Sequence, residues 1–99
     1  MVQYELQQSL KFGKALYITG SIQELGNWGA NPRRLTWQKQ DYWTCEVNIS
    51  TKRRDFSFEY KFMISDYDIN INSHREYEPG PNRIFRKKLQ KYKTFKSIK

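Results

Sequence analysis

The sequence predicts an all-β protein, an antiparallel β-sandwich that buries one face of each of two sheets. Three observations lead there. Apolar residues recur with a period of two along most of the chain, and no stretch keeps the 3.6-residue period of a helix. Clusters of turn-forming residues separate the alternating runs at the spacing of a multi-stranded β-domain. Sixteen aromatic side chains among 99 residues supply the bulky core that so small a domain needs.

The elements follow in order. Val2, Tyr4 and Leu6 point one way while Gln3, Glu5 and Gln7 point the other. Leu16 and Ile18 repeat the pattern just before Gly20. Trp43, Cys45, Val47 and Ile49 form a third apolar face. The clearest alternation sets Phe56, Phe58, Tyr60, Phe62 and Ile64 against an outward face of Ser57, Glu59, Lys61 and Met63. Asn70-Ile71 and Arg83 to Leu89 complete the strand set. Turn chemistry falls at residues 12–14, 26–32, 39–41, 50–55, 65–68 and 79–82. There is no internal repeat.

The chain reads as one domain over residues 1–86, followed by a basic tail or linker over 87–99. The formal net charge of +8 raises nucleic acid, anionic lipid and phosphorylated ligands as partners. Residues 86–99 hold seven Lys or Arg and no acid, however, so most of the excess belongs to the chain end. The single Cys45 excludes an internal disulfide and a multi-cysteine zinc site, and its register places it on the inner side of a strand. His74 has no second histidine at ligand spacing and reads as a solvated loop residue. No metal and no cofactor is expected. With no apolar run of membrane-spanning length and no signal-like start, the expected setting is cytoplasmic, without a membrane partner.

The residues with binding chemistry lie between the strands. Trp28 sits in loop-type sequence, Leu25-Gly26-Asn27 before it and Gly29-Ala30-Asn31-Pro32 after it. A tryptophan in such a place plugs the core or offers a stacking surface. Sugar rings present C–H faces that pack on indole and phenol rings, and their hydroxyls require fixed polar partners at the rim. Tyr77, in a second loop-like stretch, supplies another ring. Lys61 projects from the face opposite the phenylalanines, and Asn82 brings a donor and an acceptor beside the Pro-Gly-Pro turn.

The order GSIQELGNW (20–28), a strand opening with Trp43, FEYKF (58–62) and YEPGPNR (77–83) resembles the starch-binding domains, carbohydrate-binding module family 20. The likeness spans about residues 2–86. It implies an immunoglobulin-like sandwich and non-catalytic binding of α-1,4-glucans such as starch, glycogen and cyclodextrins. Such modules are usually attached to another domain, here a glucan-metabolising one, and the expected form is a monomeric module of a larger protein. By the resemblance, Trp28 is the first platform ring of the principal site, Lys61 its sugar-binding lysine and Asn82 its asparagine. Glu78 contributes through backbone or carboxylate, and Trp43 is structural.

Three departures from the pattern bear on binding. Tyr77 replaces the usual second tryptophan, with less stacking area. Phe12 stands where a second-site tyrosine is typical. The loop that brings the other second-site tyrosine is shortened between Leu35 and Trp43, leaving Trp37 or Tyr42 as substitutes. A second site would therefore rest on Phe12 and Trp37. Separately, the 65–76 connection is longer than usual, which sets His74 and Arg75 beside the principal site. The partner is then an α-glucan, phosphorylated or not. The alternative is a nucleic-acid or phosphate-binding β domain that uses the basic tail and exposed aromatics, with acids in its aromatic loops against it. No catalytic constellation accompanies these residues, so the segment is not expected to be an enzyme.

Overall fold

Strand β6, Phe56–Asp66, is the longest among the described residues, and β2, β7 and β8 all pair with it. In a computed structural model that describes residues 2–49, 56–87 and 97–98, nine strands run in order. The others are β1 (Val2–Gln7), β2 (Lys14–Gly20), β3 (Arg33–Arg34), β4 (Thr36–Trp37), β5 (Tyr42–Val47), β7 (Glu76–Tyr77), β8 (Arg83–Lys87) and β9 (Ser97–Ile98). One sheet has the order β4-β5-β1-β9; the other runs β3-β2-β6-β7, with β8 also paired to β6. All pairings are antiparallel except β1 with β9, where Gln3 meets Ser97 and Tyr4 meets Ile98. Ser97–Ile98 fall inside the stretch read from sequence as a tail.

The core lies where the predicted inner faces meet. Tyr4 from one sheet inserts edge-on against Tyr60 and Phe62 of the other, with ring centroids 5.3 and 6.3 Å apart. Phe58 stacks on Phe85 at 5.0 Å, while Leu16, Ile18, Val47 and Leu35 fill the space between. Trp43 is buried and its indole N–H donates to the Gln8 carbonyl at 2.8 Å, tying β5 to the end of β1. Cys45 packs half-buried on the same inner face, where burial pushes its thiol pKa up, away from nucleophilic chemistry.

The outer face of β6 departs from simple alternation. Met63, expected outward, and Ser65, expected in a turn, are both buried within the strand. The 66–75 stretch is tied to β6 and β2: the Ser65 hydroxyl donates to the His74 carbonyl at 2.7 Å, and the Tyr17 hydroxyl donates to the Asp66 and Tyr67 carbonyls at 2.6 and 2.7 Å. Asn70-Ile71 is a turn rather than a strand. The Asn70 side-chain oxygen accepts the Asn72 N–H at 2.8 Å and Ser73 Oγ accepts the Asn70 N–H at 3.0 Å, so local bonds replace a ladder. Strands β3, β4 and β7 have two residues each, too short to show a period. The expected turn at 50–55 and the end of the last run, 88–89, lie outside the described residues.

The Tyr4 hydroxyl is buried without a hydrogen-bond partner among the described residues, and burial raises its pKa strongly. Tyr4→Phe removes the orphaned polar atom and keeps the ring, and is expected to raise unfolding free energy by about 1 kcal/mol. Trp43→Ala is expected to cost about 3–5 kcal/mol as a buried large-to-small change. Denaturant unfolding of both variants checks the pair.

Candidate binding site

The site grows out of an interruption in the pairing of β6. Along the edge away from β2, β7 pairs through Met63–Tyr77 and Ile64–Glu76, and β8 pairs from Tyr60–Arg83 onward. Between these registers Lys61 and Phe62 face the whole of Glu78 to Asn82. The surplus chain bulges outward as the Pro79-Gly80-Pro81 turn, and side chains make the bonds a continuous strand would have made.

Glu78 does most of this. Its N–H donates to the Phe62 carbonyl at 3.0 Å, and its carboxylate accepts the Phe62 N–H at 3.1 Å. The same carboxylate takes the Arg83 guanidinium from Nε at 2.9 Å and from Nη2 at 3.1 Å, a fork-like pair. The Glu78 carboxylate holds Arg83 still more firmly protonated, and the guanidinium lies 5.2 Å from the Phe62 ring centre. Lys61 anchors the bulge from the other side: its ammonium donates to the carbonyls of Glu78, at 2.9 Å, and Gly80. That leaves one of its three protons pointed outward. Asn82 donates from Nδ2 to the Glu59 carboxylate at 3.1 Å, which leaves its amide oxygen for another partner.

Register puts Lys61 and Tyr77 on one face. Lys61 and Met63 are two residues apart on β6, and Tyr77 is directly opposite Met63. Trp28 reaches this face from the Gln23–Trp28 segment, a 3-10 turn that ends in three successive left-handed residues, Gly26, Asn27 and Trp28 (φ 81, 50 and 62°). A Cβ on Gly26 would run into the Asn31 carbonyl, so only glycine fits there. The segment is pinned by buried Leu25, which lies against Gly20 where any side chain would strike the Glu59 carbonyl, and by the Thr19 hydroxyl donating to the Leu25 carbonyl at 3.4 Å. Trp28 and Tyr77 remain 37% and 43% exposed, ring area enough for stacking and too much for core plugs.

Arg75 joins the two ring-bearing segments. Its Nη1 donates to the Gly29 carbonyl at 2.9 Å and reaches the Tyr77 hydroxyl at 3.5 Å. Farther along the same sheet, Arg34 lies 4.0 Å from the Tyr67 ring centre and donates to the Tyr67 carbonyl at 2.9 Å. A cavity of about 280 Å³ opens on the flank between the sheets, lined by Leu6, Leu16, Phe62, Glu76, Pro79 and Arg83 among others. It lies behind the Glu78–Arg83 pair, away from the Trp28 ring.

Trp28, Lys61, Tyr77 and Asn82 thus share one surface, and Glu78 stands behind it with its carboxylate turned to Arg83 and Phe62. Phe12 and Trp37 lie on different elements. Phe12 is fully exposed in the turn before β2, while Trp37 lies at the edge of the other sheet with its indole N–H on Asp41 at 3.2 Å. No ring contact links them among the described residues. Sequence reasoning missed Arg83, whose signal was a lone cation placed to balance Glu78 across the turn. No group of metal-ligating residues occurs among the described residues, and no helix there is long and apolar enough to cross a membrane.

The starch binding domain family matches residues 1–96, and the chain belongs to that family. Two solved structures share the fold. A glycoside hydrolase family 15 glucoamylase from Hypocrea jecorina aligns over 98% of this chain and 16% of its own, with 20% identity and a TM-score of 0.73. A γ-CGTase from an alkalophilic Bacillus clarkii aligns over 98% and 14%, with 21% identity and a TM-score of 0.74. The chain therefore spans about one-sixth or less of the proteins it matches. No match is found among the curated proteins.

Glu78→Ala strips a charged acceptor from both Arg83 and the Phe62 N–H. The expected loss of stability is about 2 kcal/mol, on the scale of hydrogen bonds to charged groups. Amide exchange at Phe62 should accelerate at the same time, which distinguishes a loosened bulge from a general loss of packing.

Proposed function

We propose that this starch-binding domain holds an α-1,4-glucan, starch or glycogen, across the surface between Trp28 and Tyr77. In doing so it brings an attached glucan-metabolising domain to the polysaccharide. The observation that supports this most is the shared outward face of Lys61 and Tyr77, completed by the left-handed turn that presents Trp28. Two exposed rings supply stacking area for the C–H faces of adjacent glucose units. The remaining Lys61 proton and the Asn82 oxygen are positioned for hydroxyls, and both groups are already fixed by protein hydrogen bonds. Glu78 acts by holding the bulge. Phe12 and Trp37 act as separate, lone-ring contacts if a second site exists. The proposal includes a monomeric module in a cytoplasmic setting, consistent with the one unpaired cysteine, Cys45.

Few rings on an open surface leave little free energy after the cost of association, so dissociation constants on the order of micromolar to millimolar are expected. Titration of β-cyclodextrin should show Trp28→Ala abolishing measurable binding with the melting temperature unchanged. Tyr77→Ala should weaken binding by about 1–3 kcal/mol, a scale taken from base stacking and interface truncation, whereas Tyr77→Trp should preserve or tighten it. Affinity for this neutral ligand should be nearly independent of salt, unlike phosphate-backbone binding. A folded domain that ignores glycogen, amylose and cyclodextrin at millimolar ligand would overturn the reading.

A further inference from the structure

Among the described residues no carboxylate pairs with Arg75. It lies one residue before β7 and two before Tyr77, half-buried between the segment bearing Trp28 and the ring of Tyr77. Only its Nη1 is engaged, on Gly29 and Tyr77. A guanidinium has five N–H donors, so those on Nε and Nη2 are unspent among the described residues. The ion pairs of the described residues are Lys14–Asp66 and Arg83–Glu78, and Arg75 belongs to neither. Nearby carboxylates are otherwise disposed: Glu78 is held by Arg83, Glu59 accepts from Asn82, and Glu76 alternates to the face opposite Tyr77. Lys61, the other cation of this face, is bonded only to carbonyls.

Two cations on a stacking surface are more than neutral hydroxyls require. A half-buried guanidinium loses part of its hydration without recovering it from a counter-charge. A phosphate returns that loss, because its oxygens match the planar fork and each bond is charge-assisted. We propose that Arg75 reads an anionic substituent, a phosphate ester carried by a glucose unit of the bound α-glucan. This rests on the glucan-binding reading above and adds its substrate class: phosphorylated α-glucan in preference to the unmodified chain. The backbone anchor on Gly29 holds the guanidinium beside the rings, so an ester on a stacked or neighbouring sugar comes within its reach. Lys61 adds long-range attraction at the other end of the same face.

The test compares naturally phosphorylated amylopectin with the same preparation after enzymatic dephosphorylation, using wild type, Arg75→Gln and Arg75→Lys. The quantity read is the ratio of the two affinities, so damage to the Trp28–Tyr77 geometry, which weakens both ligands, drops out. Wild type is expected to favour the phosphorylated polymer about ten-fold at low salt, with the ratio shrinking as salt rises. In Arg75→Gln the ratio should fall to about one, and in Arg75→Lys, which keeps charge without the fork, it should lie between. A wild-type ratio of one overturns the proposal, as does a preference that survives in Arg75→Gln. Binding of neither polymer, nor of β-cyclodextrin, by folded wild type overturns the glucan reading beneath it.

Discussion

The main-chain polarity of Phe62 is the constraint on which this surface depends. On the edge of β6 away from β2 the ladder is interrupted at this point, between the registers of β7 and β8. An N–H left bare inside a sandwich costs about 1–3 kcal/mol. Here the Glu78 carboxylate substitutes for a neighbouring strand at Phe62, Arg83 neutralises the charge so introduced, and the Lys61 ammonium gathers the outward carbonyls of the bulge. The proposed binding face is the outer side of that repair. The groups available to a ligand are the ones the repair leaves over.

Strain on the opposite loop is held in a similar way. Asn27 and Trp28 adopt left-handed backbone at a cost of roughly 1–2 kcal/mol each. What keeps them there is local. The Asn27 and Leu25 N–H groups both donate to the Ile22 carbonyl at 3.0 Å, the Gly29 N–H donates to Gly26 at 2.9 Å, and Leu25 is fully buried. Backbone strain kept by surrounding packing is a recurrent property of binding loops. Its effect is to turn the indole of Trp28 outward on a support that cannot easily relax, and so to reduce the ordering entropy a weak ligand must overcome.

Most of the sandwich was legible in the sequence because its strands bury one face against a solvated one. Phe56, Phe58, Tyr60 and Phe62 point inward as their alternation requires. The pattern fails where burial comes from neighbouring segments. Met63 is flanked by Tyr17 and Tyr77, and Ser65 is tied to the polar 66–75 stretch through its bond to His74, neither of which leaves a periodic trace. Asn70-Ile71 looked like strand because isoleucine favours it, yet Asn70 closes its own turn through its side chain. Among the proposed site residues, Trp28, Lys61, Tyr77 and Asn82 stand out in the sequence by type, neighbourhood and the family resemblance. The part played by Glu78 was not, since a carboxylate that completes a sheet and one that meets a ligand have the same sequence context. Only the position of Arg83 separates them.

The distribution of charge shows why a total is a poor guide to partners. Much of the +8 lies at the chain end, and two of the cations nearest the core are cancelled by Glu78 and Asp66. The Asp66 carboxyl is held below the usual carboxylate range chiefly by its bond to Lys14, a contact that fastens the start of β2 to the end of β6. Arg34 spends its charge on the Tyr67 ring and carbonyl. What matters for recognition is the cation that folding leaves beside the rings without a counter-charge. A net positive charge spread over a surface attracts any polyanion and is screened within about 8–10 Å at ordinary ionic strength. On the proposed reading, a guanidinium fixed by Gly29 beside Tyr77 discriminates by geometry, because an anion carried on a stacked ligand meets it at a set position.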